Sequence, residues 1–322
     1  MTWWRALVDA GAVPGRGSTR DEVETGERAD VVEGNELQTH PIPEPRIPAL
    51  VSFLNGIERW SVVAYDGVVQ IVHAYVAAAV RRRDATGVLR TTFERSRAFA
   101  IAPLDRMSPA LRHTLEQAAS DVEAIDGALV EQPARYLETI EATVRRVRAH
   151  LERELAEAAI ADLGMDEWLV IDGLLSRSPA VAQHPRTLGV IKSHGAQFLE
   201  GRGLERALTL PTGHRTSVFA VRGGHTRTEV FSWYVRLWPW EGNDLLYGLL
   251  RVEARAHVET VRRAAELSGW LWAERAPLAT PATRWDRLLY PLHHVEEYLK
   301  TRAPRDLQAR PGRLSRLPRL VV

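Results

Sequence analysis

The chain has 322 residues, 45% hydrophobic and 26% charged, with a formal net charge of +1, a composition that excludes a fully disordered chain, a collagen-like fibre and a disulfide-stapled miniprotein. It contains no cysteine, which removes disulfides, thiolate zinc sites, iron–sulfur clusters and cysteine nucleophiles together and leaves oxygen and imidazole as the available metal donors. The longest apolar stretch, Ser61 to Val80, is interrupted by Asp66, Gln70 and His73 and falls short of a membrane span; with Asp9 inside the short apolar run at the N-terminus, no signal peptide is expected and the protein reads as cytoplasmic.

A short helix is expected near Trp3 to Val8. Its Trp3-Trp4 pair serves either as an anchor for another subunit or as packing for the chain's own core. Residues 12 to 48 are rich in Gly, Pro, Glu and Thr without a hydrophobic period, and Asp21 to Glu36 carry seven carboxylates against Arg28 alone. This stretch reads as a linker or mobile arm, so residues 1–46 form an N-terminal helix and flexible arm. Order begins at Ile47. Ala49 to Leu54, Arg59 to Tyr65 and Val68 to Val80 are rich in β-branched and aromatic residues, and Asp66-Gly67 is suited to a tight hairpin turn, so three antiparallel strands are expected. A further strand is expected around Leu89 to Ala100 and a short helix from Ser108.

The clearest helix runs from Pro133 to about Ala161, with Tyr136, Ile140, Val144, Val147, Leu151, Leu155 and Ala158 forming one apolar stripe. Two strands follow, Trp168 to Ile171 ending at Asp172-Gly173 and Thr187 to Ile191 ending at Lys192. Strands are then expected at Ser217 to Val221, Arg227 to Trp238 and Leu246 to Glu253, and amphipathic helices at Ala256 to Trp272 and Leu292 to Thr301. The last twenty residues carry five arginines against Asp306 and read as a basic tail, 302–322.

Several residues stand where chemistry is possible. Asp172 ends an apolar strand, either as an ordinary turn aspartate or as a charge that a metal or a cation neutralises. On the long helix Glu154 falls at the edge of the apolar stripe, whereas Glu152 lies farther toward solvent. Lys192 is one of only two lysines beside 40 arginines, and at a strand end it either meets a phosphate or simply snorkels. Arg251 and Glu253 share a strand face and form either an ion pair or part of an anionic site. His293 and His294 begin the last helix beside Glu296 and Glu297, as metal ligands, general acids or structural residues. No Walker-type loop, Ser-His-acid order or zinc spacing is present.

The succession Phe53-Leu54-Asn55-Gly56-Ile57-Glu58-Arg59, a helix with Glu152 or Glu154, Leu169-Val170-Ile171-Asp172-Gly173-Leu174-Leu175, Leu188-Gly189-Val190-Ile191-Lys192-Ser193, Ser232-Trp233-Tyr234-Val235-Arg236, Arg251-Val252-Glu253 and Tyr290-Pro291 resembles the NurA nuclease family over residues 47–301. The resemblance implies an α/β fold, a ribonuclease H-like mixed sheet flanked by helices. It also implies a Mn²⁺- or Mg²⁺-dependent nuclease acting on linear DNA ends or single strands, a homodimer, and partnership with a HerA-like hexameric ATPase in DNA-end processing or defence against foreign DNA. Carried over by position, the family's first catalytic aspartate falls on Asn55, its acidic helix residue on Glu154 or Glu152, its second aspartate on Asp172 and its strand-end lysine on Lys192. Its late histidine falls near Glu297, with His293 and His294 just before. The expected metal set is therefore Asn55, Glu154, Asp172, His293 and Glu297, with His294 also at the catalytic centre, and Arg59, Lys192, Arg236 and Arg251 as nucleic-acid contacts. Asn55 departs from the pattern: a neutral amide offers one acceptor oxygen where a carboxylate offers two with charge. Loss of activity, a substitution that traps substrate, or compensation by Glu58 or Asp66 are the explanations, and a catalytically inactive DNA-binding or scaffold subunit is the alternative function.

Overall fold

The computed structural model describes residues 24–25, 29–44, 50–119, 121–194, 196–221, 228–277, 285–304 and 307; the expected N-terminal helix and the basic tail beyond 307 lie outside them. The protein is mixed α/β, with a large mixed sheet flanked by helices. Its strands are β1 (Glu24–Thr25), β2 (Asp30–Val31), β3 (Thr39–Pro41), β4 (Val51–Asp66), β5 (Val69–Arg83), β6 (Leu89–Ala102), β7 (Val122–Ala124), β8 (Trp168–Asp172), β9 (Thr187–Ile191), β10 (Ala196–Gln197), β11 (His214–Thr216), β12 (Phe219–Val221), β13 (Val230–Arg236) and β14 (Leu249–Arg255). Helices are α1 (Pro109–Ala118), α2 (Pro133–Asp162), α3 (Pro179–Gln183), α4 (Gly201–Leu208), α5 (Val258–Ala273) and α6 (Tyr290–Lys300). The main sheet runs in the order β2, β12, β13, β14, β9, β8, β4, β5, β6, β7, with β11 joining β13 to β3. Among the described residues no helix is long and apolar enough to cross a membrane.

The chain divides into two compact units, one of Met1–Leu54, Arg81–Arg90 and Ala156–His294, the other of Asn55–Val80, Thr91–Leu155 and Val295–Val322. In the first, β8 pairs in parallel with both β4 and β9, and β9 continues antiparallel into β14 and β13. Parallel strands covered on both faces read as unbroken apolar runs, and Trp168 to Ile171 and Leu188 to Ile191 are such runs, buried throughout. The turn after β8 lies against β9: a Cβ on Gly189 would stand 2.6 Å from the Gly173 carbonyl oxygen. Gly173 itself has φ +143°, where L side chains are strained. Both glycines of the motifs around Asp172 and Lys192 are therefore steric requirements.

In the second unit, α2 presents Tyr136, Ile140, Val144, Val147 and Leu151 as a buried stripe, as its spacing predicts. The hairpin turn falls at Gly67 (φ +60°) and Val68, one residue later than expected, and Asp66 ends β4 with its carboxylate accepting the Ser108 backbone N–H at 2.6 Å. Two of the expected strands are one: β4 runs unbroken for 16 residues through Asn55-Gly56. Gly56 costs a strand little where a helix side chain must approach closely, and its Cβ would meet Glu152 Oε1 at 2.3 Å. The arm also departs from expectation. Three short strands within 24–41 pair with β10, β12 and β11, and buried Arg215 clamps Glu33 through two hydrogen bonds of 2.6 and 2.7 Å. Polar arm residues lacking a hydrophobic period are held here by backbone pairing and by the ion pairs Arg215–Glu33 and Arg206–Glu36, signals that periodicity does not carry.

Candidate functional site at the strand tips

In the first unit, Asp172 ends β8 and Lys192 follows β9, the neighbouring parallel strand, and their side chains meet: Lys192 Nζ donates to Asp172 Oδ2 at 2.6 Å. Both are partly buried, so the pair is better shielded than a surface ion pair. Arg287 donates from Nη1 to the Lys192 carbonyl at 2.8 Å, fixing the backbone that carries the lysine. The loop after Asp172 is anchored from β14. Glu253 Oε2 accepts the Leu175 N–H at 2.8 Å while its Oε1 accepts from Arg251 Nη1 at 2.8 Å. Arg251 and Glu253, which the alternation placed on one face, thus form a buried pair that holds the Asp172 loop. Charges this deep are stable only when paired and hydrogen-bonded.

Two expected phosphate contacts lie elsewhere. Arg251 is buried, committed to Glu253 and to the hydroxyl of Ser232, with its guanidinium over the Phe198 ring. Arg236 is fully buried and donates to the carbonyls of Leu208, Leu210, Leu245 and Tyr247; burial pushes its pKa down to about 10, which leaves it charged at neutral pH. A guanidinium consumed by backbone carbonyls is a structural clamp, and alternation alone does not separate it from a phosphate ligand.

Asn55, Arg59, Glu152, Glu154 and Glu297 belong to the second unit. Asn55 is buried and its Oδ1 accepts the Gly56 N–H at 2.8 Å. Contrary to the helical-wheel expectation, Glu152 is the inward carboxylate. Its side chain is 15% exposed, against 39% for Glu154, which pairs outward with Arg95 and lies 3.3 Å from His150. The error comes from placing the apolar stripe by sequence alone: Gly56 opens space for Glu152 that no wheel displays. Arg148, which the sequence did not single out, lies 3.5 Å from Glu152 and 3.6 Å from Glu58, so the two candidate carboxylates near Gly56 share a built-in cation. Arg59 donates to the Glu58 carbonyl and is part-exposed. Glu297 pairs with Lys300 at 2.7 Å.

His293 packs edge-on against Trp285, ring centroids 5.1 Å apart. The Nδ1 of His294 lies 2.8 Å from Arg81 Nη1. Arginine only donates, so Nδ1 accepts and the ring proton sits on Nε2. In that tautomer neither nitrogen offers a free lone pair to a metal. Burial lowers the His294 pKa below its usual 6.5, helped by the charge of Arg81 and by His293, and burial followed by Arg186 and Arg255 lowers that of His184. For both, the unfolded chain takes up a proton near pH 6.5 while the native ring does not, so native stability is complete above that pH and falls as pH drops toward the folded pKa. Urea midpoints are expected to fall between pH 7.5 and 5.5, and His294→Gln is expected to flatten part of that slope. An unchanged slope would count against the Arg81–His294 tautomer.

Divalent Mn²⁺ or Mg²⁺ takes several oxygen ligands, carboxylates foremost. Among the described residues no group of three or more His, Asp or Glu side chains is placed to hold a metal ion. Asp172 is engaged by Lys192, position 55 is a neutral amide, and Glu58 and Glu152 share Arg148. The donor set as it stands does not fit a divalent cation. The sequence matches no protein-family model and no curated protein at a significant level.

Proposed function

We propose that this chain is a NurA-like subunit with a ribonuclease H-like core, which binds DNA ends or single strands as a homodimer beside a HerA-like hexameric ATPase, and that it acts there as a binding or scaffold subunit rather than as an efficient nuclease. One observation carries the second half: the carboxylate at the tip of β8 is neutralised by Lys192 at 2.6 Å, and the first acidic position of the family pattern holds the amide of Asn55. The first half rests on the motif order and on Asp172 and Lys192 ending adjacent parallel strands, where α/β proteins concentrate their chemistry. The reading as a Mn²⁺- or Mg²⁺-dependent nuclease is favoured by one feature, the inward carboxylate Glu152 beside Gly56.

The test is binding of linear single- and double-stranded DNA at several salt concentrations, with cleavage followed in parallel and with co-sedimentation against a HerA-type hexamer. Binding that weakens steeply with salt, as phosphate contacts require, together with co-sedimentation and intact DNA, is the expected result. DNA binding that is absent or indifferent to salt would overturn the nucleic-acid role, and Mn²⁺-dependent cleavage would return the chain to the nuclease reading.

A further inference from the structure

At the end of β8 opposite Asp172, the first unit contains a cavity of about 160 Å³ lined by Trp168, Arg255, His257, Thr260, Arg263 and Leu267, among others. Trp168 and Asp172 stand four residues apart at opposite ends of β8, on the order of 13 Å, so the cavity is not the strand-tip site. Its polar lining is biased toward donors. Arg255, part-exposed at the end of β14 and in the lining, has a guanidinium with no hydrogen bond or ion pair among the described residues. Arg263 is held rigid, stacked 4.9 Å over the Trp168 ring and forked onto Glu266 through Nε and Nη2, which leaves Nη1 available. His257 caps α5 by accepting the Glu259 N–H at Nδ1, so its Nε2 carries a proton and donates. Glu259, the acidic residue of the lining, lies 3.6 Å from Arg262. The field is felt nearby: Arg186 and Arg255 both add to the effect of burial that lowers the His184 pKa.

We infer that this cavity is a phosphate-group site, in which Arg255, Arg263 Nη1 and His257 Nε2 grip the oxygens of one phosphate while Leu267 and its apolar neighbours take the adjoining ester carbons. Guanidinium forks suit phosphate oxygens geometrically, and the volume admits a phosphate with a few carbons but no nucleobase beside it. The group comes either from a nucleic-acid backbone or from a free phosphate or small phosphate ester. An arginine with no partner among the described residues, beside another already locked in place, needs little reorganisation to bind.

The experiment titrates the full chain with inorganic phosphate by calorimetry and with a short labelled oligothymidylate by anisotropy, for the unaltered protein, Arg255→Gln and Glu259→Gln. Arg255→Gln is expected to weaken phosphate binding about tenfold or more, the size of a lost charge-assisted contact, and Glu259→Gln to tighten it. If oligothymidylate binding weakens in step and its salt slope falls by about one, the source is a nucleic-acid backbone. If only inorganic phosphate responds, it is a free phosphate. Arg255→Gln protein that melts normally yet binds both probes like the unaltered chain would overturn the inference, as would Glu259→Gln leaving phosphate affinity unchanged.

Discussion

Asn55→Asp is expected to bind Mn²⁺ at least about 10- to 100-fold more tightly than the chain as it stands, taking the effect known for outer-shell partners of metal ligands as a lower bound. The substitution is nearly isosteric. One aspartate oxygen inherits the 2.8 Å bond from the Gly56 N–H, and the other replaces a neutral amide nitrogen with a charged acceptor. At a position 5% exposed, a negative charge is costly to bury, so the variant should melt below the unaltered chain without metal and recover on adding Mn²⁺, because a ligand that binds only the native state stabilises it. Degradation of linear DNA with Mn²⁺ is expected to appear in the variant and to stay absent from the chain as it stands. An Asn55→Asp protein with unchanged Mn²⁺ affinity and no metal-dependent rise in melting temperature would remove position 55 from any metal site. It would leave the binding-subunit reading to stand on DNA affinity alone.

Glu253→Gln should destabilise the protein by about 3–5 kcal/mol, the range for breaking one partner out of a buried ion pair. The glutamate is 1% exposed and the arginine 3%, so the variant leaves the Arg251 charge buried beside the Ser232 hydroxyl and the Phe198 ring. Glutamine keeps an acceptor for the Leu175 N–H, which separates loss of charge from loss of the loop anchor. Glu253→Ala removes both and should be worse. Replacing the pair together, Arg251→Met with Glu253→Leu, should recover much of the stability, since well-packed apolar residues often equal a buried ion pair. Urea unfolding measures all three. A Glu253→Gln loss under about 1 kcal/mol would mean that the buried charge pair itself contributes little to stability.

The physical consequence of the Arg251–Glu253 pair is local. Its carboxylate reaches across from β14 to the first amide beyond the Asp172–Gly173–Leu174 turn, while Gly189 lets that turn lie directly on β9. Asp172 is held from two sides before any ligand arrives. That arrangement favours a fixed charge pair with Lys192 over a mobile carboxylate, consistent with a site whose cation is part of the chain.

Period and turn chemistry made much of the scaffold legible before any coordinates. The stripe of α2 from Tyr136 to Leu151, the apolar runs of β8 and β9 with polar residues at their tips, and the helices α5 and α6 fell where apolar spacing placed them, because burial of an apolar face is a local property of sequence. The shared face of Arg251 and Glu253 followed from alternation in the same way.

Tertiary structure alone decided the rest. Whether Glu152 or Glu154 turns inward depended on the missing side chain of Gly56 in another element. Arg236 and Arg251 became internal clamps because carbonyls and a carboxylate from distant segments converge on them. His294 lost its free lone pair to Arg81, 213 residues away in the chain, and the arm at 24–41 gained strands from edges that its own composition does not encode. Spacing along a chain reports which face a residue is on; which charge it meets there is settled by partners far away in sequence, because Coulomb and hydrogen-bond partners are chosen by distance in space.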